Sequence, residues 1–386
     1  MMGPLQGTKI IELAGVGPGP FCGMMLADMG AAVIRVERPG AVTGGSLDPL
    51  LRNRRSIACD LQRAEGVDVV LRLIENADAL FEGFRPGVAE RLGVGPDTCL
   101  KKNPRLVYGR MTGWGQEGPL ARAAGHDLNY IALSGALHSI GRPGDKPVPP
   151  LNLVGDFGGG GMLLAFGMVC ALLNAQRTGK GQIVDAAMID GANTLMAMFH
   201  GFKAMGLHSD ATGSSFLGGA AHFYDTYETR DGKFISIASI EPRFYELLIE
   251  KAGLDRRRFA AHAFRMKIDD DVRSNWATLK EELAEVIRTR TRDEWCDIME
   301  GSDVCFAPVL TLDEARAHPH NKSRHAFIDV DGQTQAAPAP RFSESVTATP
   351  RPGVPPGTHS VEILQSAGFD AGEIRELIES GTVAAA

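Results

Sequence analysis

The chain has 386 residues, 44% hydrophobic and 23% charged, a balance that suits two packed domains and excludes disordered, collagen-like and small disulfide-held classes. With 40 Lys and Arg against 47 Asp and Glu, the formal charge of −7 argues against nucleic-acid binding through bulk charge. Gly, at 46 residues, is well above its ordinary share, which points to close backbone approaches and Gly-rich turns.

Along the chain, residues 9–13 read as a strand, 14–20 as a Gly- and Pro-rich break, 21–29 as a helix and 32–36 as a second strand, which makes one βαβ unit. Strands at 56–61, 79–82, 106–111 and 182–186, with a helix at 65–76, continue the alternation and predict an α/β fold built on a doubly wound parallel sheet. A buried helix is expected over 161–176, with Gly179 as the left-handed residue that stops it. The longest mainly apolar stretch, 162–173, is about 12 residues where a membrane helix needs ~20, so no membrane span is expected. Near residue 200 the texture changes: 206–221 is linker-like, and Arg230-Asp231-Gly232 joins β-prone runs at 222–229 and 233–239 as a hairpin. Charged helical patterns follow at 246–251, 275–288 and 292–300, then a Pro-rich extended segment at 341–356 and two short helices within 360–380. The expected organisation is a large domain over 1–200 completed by 330–386, a smaller α+β domain over 215–325, and linkers near 200–215 and 325–345.

The run Gly15-Val-Gly-Pro-Gly-Pro20 follows a strand and precedes a helix, with Glu37 about 20 residues on, and so imitates a dinucleotide fingerprint. Pro18 and Pro20 lack the N–H donors a pyrophosphate would use, and the run reads better as a tight strand-to-helix turn. Arg35, Arg38, Arg52, Arg54, Arg55, Arg85 and Arg91 crowd the first quarter of an acidic chain; as a group they favour a phosphorylated ligand, because guanidinium forks suit phosphates. Gly125-His126-Asp127 stands just before an apolar run, where His126 or Asp127 can cap a helix. Asp156 precedes four glycines, as an N-cap or as a catalytic group beside bare backbone. The six cysteines (22, 59, 99, 170, 296, 305) show no paired or metal-ligand spacing and read as reduced core residues, with no metal site. The opening residues carry no export or organelle signal, so a cytoplasmic protein is expected. The residues by themselves reach a phosphorylated small ligand and an acid/base pair.

Leu5-Gln-Gly, Glu12-Leu-Ala-Gly, Ala27-Asp-Met-Gly-Ala31, Arg35-Val-Glu-Arg-Pro39, Phe84-Arg-Pro-Gly-Val88, Asn103-Pro-Arg-Leu106, Thr112-Gly-Trp-Gly-Gln116, Gly125-His-Asp127 and Thr178-Gly-Lys-Gly-Gln182 together resemble the CoA-transferase class III superfamily over nearly the whole chain. Within it, His126 resembles the α-methylacyl-CoA racemase branch, because transferases more often carry an aromatic residue there. The resemblance implies a large Rossmann-like domain plus a smaller α+β domain, two chains interlocked as a homodimer, and an acyl-CoA substrate without a separate cofactor, CoA entering as part of the substrate. It implies that CoA is held by Arg38, by Cys59, Asp60, Leu61 and Gln62, by Gly83, Arg85 and Arg91, and by Gly125, Leu128, Asn129 and Tyr130. Gln62 departs from the lysine common at that position. His126 and Asp156 would pass a proton across the carbon beside the thioester, interconverting (2R)- and (2S)-2-methylacyl-CoA through an enolate met by the Asp127 backbone N–H. Glu241 would pair with the histidine. For Asp156 to act as an acid its proton affinity must be raised, and Phe157 and a closed domain interface are expected to supply the desolvation that raises it. Met24, Met188, Met196, Met198 and Met205 are the expected pliant surface for the acyl chain. The alternative is a class III CoA transferase in which Asp156 is the nucleophile that moves CoA between carboxylic acids.

Overall fold

The computed structural model describes residues 3–265 and 274–386. The chain opens with β1 (Lys9–Leu13), α1 (Pro18–Asp28) and β2 (Ala32–Glu37), then β3 (Arg54–Cys59), α2 (Ala64–Ile74), β4 (Ala79–Glu82), β5 (Val107–Thr112), α3 (Asp127–Leu133), α4 (Leu163–Thr178) and β6 (Gln182–Ala187). There follow β7 (Tyr224–Glu228), β8 (Phe234–Ala238), α5 (Pro242–Ala252), α6 (Trp276–Ile287), α7 (Arg292–Met299) and β9 (Phe306–Val309). The last elements are β10 (Phe327–Val330), β11 (Gln333–Ala336), α8 (Ser360–Ser366), α9 (Ala371–Glu379) and β12 (Val383–Ala384).

The main sheet has the order β12-β3-β2-β1-β4-β5-β6, parallel except for β12, which runs antiparallel on β3. Its parallel part follows the order 3-2-1-4-5-6 of doubly wound sheets, in which the chain reverses its direction of growth between β1 and β4. Alternating side chains feed two cores: Leu13, Val36, Ile57 and Leu80 meet α2, α8 and α9 on one face, while Ile10, Val33, Phe81 and Val107 meet Leu26 of α1 and Leu164 and Met168 of α4 on the other.

The chain folds into two compact units. The first comprises the residues up to Ser134, Leu151–Leu195 and Arg324–Ala386, and it contains the main sheet. The second comprises Gly135–Pro150 and Met196–Ser323. It is built on the antiparallel sheet β7-β8-β9, whose Tyr227, Ile235 and Ile237 pack with Tyr245, Leu248, Leu279, Leu283 and Trp295 of α5, α6 and α7. Segment 135–150 belongs to this unit although it interrupts the first in sequence, because Arg142 forks onto Asp225 and Thr226 of β7.

Two local features depart from the sequence reading. Ahead of α4 the backbone is π-helical over Leu153–Met162, so helix starts eight residues earlier than the apolar pattern shows. Its glycines explain the geometry: a Cβ on Gly161 would lie 2.7 Å from the Pro18 carbonyl oxygen, and one on Gly159 would lie 2.8 Å from the Ala192 nitrogen. The continuous run Leu153–Thr178 has 26 residues and a mean hydropathy of 1.6, long and apolar enough on those grounds to cross a membrane; here it lies against β5 and β6 with Leu164, Met168 and Leu172 buried. Of the cysteines expected in the core, Cys22, Cys59 and Cys99 are buried, whereas Cys170 and Cys305 are exposed.

Candidate active site

A cavity of about 330 Å³ opens at the carboxyl ends of β1, β4 and β5, at the point where the strand order reverses and doubly wound sheets bind ligands. Its walls are the Gly15–Gly19 turn after β1, the Gly83–Pro86 loop after β4, Thr112–Trp114 after β5, Gly125, His126 and Tyr130 at the start of α3, Asp156 of the π-helical segment, and Met188. His126 and Asp156 therefore face one cavity, and every wall residue belongs to the first unit. The α3 start is held by packing and a cap. Tyr130 stands edge-on to Trp114 at 4.8 Å, its hydroxyl donates to the Gly125 carbonyl, and Gly113 leaves room that a Cβ would take from its ring. The Asn129 carboxamide oxygen accepts the His126 backbone N–H at 3.0 Å.

Asp127 does not cap its own helix. Its buried carboxylate reaches across to accept the backbone N–H groups of Gly155 and Asp156, both at 2.7 Å, and so ties the histidine-bearing helix to the aspartate-bearing segment. Asp156 is half-buried: Asn152 donates to it at 3.4 Å, and its Oδ2 lies where a Cβ on Gly17 would be 3.3 Å away. Burial is the main cause that raises its pKa above the ordinary carboxylate value, with the Asp127 charge adding to the rise, and Asn152 and His126 opposing it. The cavity thus pairs an exposed imidazole with a carboxyl group that holds its proton more tightly than usual.

A second pocket of about 180 Å³ is lined by Arg38, Cys59, Asp60, Leu61 and Gln62 beyond β2 and β3, and it shares Leu13 and Phe84 with the first cavity. The Cys59 thiol is pushed up to about 12, mainly by burial, so this residue is an inert wall rather than a nucleophile. Arg38, Arg85 and Arg91 are exposed, and no carboxylate pairs with them among the described residues. The other arginines of the cluster are spent on protein. Arg35 and Arg54 pair with Glu12, and Arg52 with Asp28, all buried, while Arg55 pairs with Glu362.

The profile of CoA-transferase family III matches residues 5–360 of this chain. The chain belongs to CoA-transferase family III. It is 44% identical to "Alpha-methylacyl-CoA racemase" of Mus musculus over 97% of this chain and 96% of the relative. To the protein of the same name from Homo sapiens it is 42% identical over 99% of each. In structure it is similar to a CAIB/BAIF family protein from Brucella suis, with a TM-score of 0.80 and 26% identity over 95% of this chain and 100% of that one.

In this family III chain the expected site residues fall into three groups. His126, Asp156, Gly83, Arg85, Gly125 and Tyr130 line the first cavity, and Arg38, Cys59, Asp60, Leu61 and Gln62 line the second. Arg91, Asp127, Leu128 and Asn129 line neither, and Glu241 stands exposed at the N-terminus of α5 in the second unit. The Asn129 side-chain oxygen is already occupied as a cap. Several expectations need correction. Phe157 does not line the cavity; it stacks on Phe21 at 4.5 Å. Of the five methionines only Met188 is a wall residue, Met196, Met198 and Met205 lying in the second unit. The idea that Arg35, Arg52 and Arg54 meet a phosphorylated ligand fails because buried carboxylates already hold them. The Gly- and Pro-rich run is more than a connection, since Gly15–Gly19 forms a cavity wall. Trp114 and Phe84 were missed as wall residues, although each sits in a motif quoted above; nothing in an isolated aromatic residue distinguishes a wall from a core.

Proposed function

We propose that the chain is an isomerase, an α-methylacyl-CoA racemase that interconverts (2R)- and (2S)-2-methylacyl-CoA by moving the α-proton between His126 and Asp156. The observation that carries this reading is the meeting of those two side chains in one cavity, with the Asp156 pKa raised by burial. Similarity to two named racemases over nearly full length supports it.

In one direction the His126 imidazole removes the proton from one face of the carbon beside the thioester, and the protonated Asp156 carboxyl delivers one to the other face. The reverse direction exchanges their charge states. A raised Asp156 pKa serves the half-cycle in which that group must donate. The first N–H groups of α3 have no acceptor within the helix, and in this reading that of Asp127 meets the enolate oxygen. Arg85, in the cavity wall, and Arg38, in the adjoining pocket, meet the phosphates of the CoA handle, whose binding orients the reacting carbon. Glu241 pairs with His126 from its own chain or from a second copy interlocked with it, and the active protein is a homodimer. The reaction takes no separate cofactor.

The test is incubation of the protein with a single enantiomer of a 2-methylacyl-CoA in deuterated water. Deuterium at the α-carbon with loss of optical purity supports the racemase. A hydroxylamine-trapped adduct on Asp156 without α-deuterium would overturn it in favour of a CoA transferase.

A further inference from the structure

Glu12, Arg35 and Glu37 belong to motifs that carry the family resemblance, and Arg54 and Ser56 stand beside them on β3, yet none is a group that the proposed reaction uses. Glu12 on β1, Arg35 on β2 and Ser56 on β3 stand in register as one row across the sheet. Parallel strands in a sheet covered on both faces are ordinarily apolar. Here four charges are buried, with exposures of 0% for Glu12, 6% for Arg35, 3% for Glu37 and 4% for Arg54. The two carboxylates of Glu12 and Glu37 balance the two guanidinium groups. One Glu12 oxygen pairs with Arg35 and the other with Arg54 Nε at 3.1 Å; Arg35 Nε reaches Glu37 at 3.2 Å, and the Ser56 hydroxyl donates to Glu37. Buried ion pairs of this kind add little net stability over apolar residues of similar volume, so stability alone does not account for them.

Two donors point out of the network. Arg35 Nη2 donates to the Gly15 carbonyl at 3.1 Å, and Arg54 Nη2 donates to the Pro20 carbonyl. The Gly15 carbonyl belongs to the turn that walls the cavity and the Pro20 carbonyl to the first turn of α1, and between them Gly17, at φ 67°, backs the Asp156 carboxylate. Pro18 and Pro20, in the first turn of α1, have no N–H to donate, so this stretch offers few backbone donors of its own. No apolar side chain could hold those carbonyls. The fit is close on the other side as well: a Cβ on Gly23 of α1 would lie 2.5 Å from Arg54 Nη2 and 2.7 Å from Glu12 Oε2. Glu37 also borders the Arg38 pocket, so the network reaches from that pocket to the backbone on either side of Gly17.

We infer that Arg35 and Arg54, locked by Glu12 and Glu37, are positioning residues that hold the Gly15 turn and the first turn of α1 on either side of Gly17 and thereby set the Asp156 carboxyl against the reacting carbon. This rests on the reading of Asp156 as the proton donor and acceptor. An Arg35→Lys variant keeps a cation between Glu12 and Glu37, but a single ammonium does not also supply the fork that reaches Gly15. Misplacement by about 1 Å is enough to cost ~100-fold in rate, so kcat for α-deuterium exchange is expected to fall at least ~10-fold. KM for the CoA thioester should stay within about 2-fold of wild type, and the pH at which the Asp156 limb of the kcat profile turns should move. Arg54→Lys, which releases the first turn of α1, carries the same expectation and keeps the test open if the first variant fails to fold. Wild-type kcat with an unmoved pH profile in the folded variants overturns the inference while leaving the racemase reading intact. A rise in KM with unchanged kcat also overturns it. Absence of exchange in the wild-type protein sinks the racemase reading itself.

Discussion

Two sets of arginines lie within the first quarter of the chain and have opposite fates. Arg35, Arg52 and Arg54 are buried against Glu12, Glu37 and Asp28, whereas Arg38, Arg85 and Arg91 are exposed with no carboxylate opposite among the described residues. Arg35 and Arg54 lie in strands beside Glu12 of β1, and Arg52, just ahead of β3, meets Asp28 at the end of α1; the second set stands in loops beyond the carboxyl ends of strands or on the short helix that follows. Residue type and position in sequence are shared, so what separates the buried arginines from the exposed ones is whether the fold places a carboxylate beside them.

The largest expected effect lies outside both sets. His126→Ala or Asp156→Asn should each lower α-deuterium exchange by about 100-fold or more, the range in which general acid–base groups act. Undiminished exchange in both would remove the proposed pair. Among the buried arginines, Arg52→Ala strands Asp28, to which Arg52 Nε donates at 3.1 Å, and should destabilise the fold by about 3–5 kcal/mol in urea titrations. Arg38→Ala and Arg85→Ala sharpen the contrast: stability should stay within about 0.5 kcal/mol of wild type, as for exposed positions, while KM for the CoA thioester rises. If Arg38→Ala unfolded the protein and left KM alone, the division would be drawn in the wrong place.

A smaller effect tests the second buried network. Glu82 accepts the Phe84 backbone N–H at 2.6 Å and pairs with Arg110 at 3.2 Å, which fixes the loop carrying Arg85. Burial, opposed by the Phe84 N–H and Arg110, raises its carboxyl to about 7. A carboxyl whose pKa is raised by folding holds a proton that the unfolded chain has released. Its contribution to stability is therefore full below the ordinary Glu range and is lost as pH rises to about 7. Glu82→Gln should flatten that decline, so that the difference in melting temperature between pH 5 and pH 8 narrows. An unchanged difference would mean that Glu82 titrates as an ordinary surface acid.

Much of this was legible in the sequence because hydrophobic periodicity and Gly/Pro punctuation are local signals. The strand and helix alternation gave the parallel sheet, and Arg230-Asp231-Gly232 gave the β7-β8 hairpin. The π-helical start at Leu153 escaped because four successive glycines carry no periodic side chains to read. The membership of segment 135–150 in the second unit escaped because it depends on Arg142 finding Asp225 and Thr226, more than eighty residues away. Site residues divided the same way. His126 and Asp156 were recognisable from motif and resemblance, whereas the roles of Arg35 and Arg54 emerge only once the fold sets them beside Glu12 and against the backbone on either side of Gly17.

The central claim is that one imidazole and one carboxyl group exchange a proton across the same carbon. The most direct measurement starts from pure (2S)-2-methylacyl-CoA in deuterated water and follows deuterium content and configuration together. The account predicts that deuterium enters the α-carbon as the (2R) form accumulates, with both processes lost in His126→Ala and in Asp156→Asn. Inversion without deuterium uptake, or uptake that persists in both variants, would contradict it.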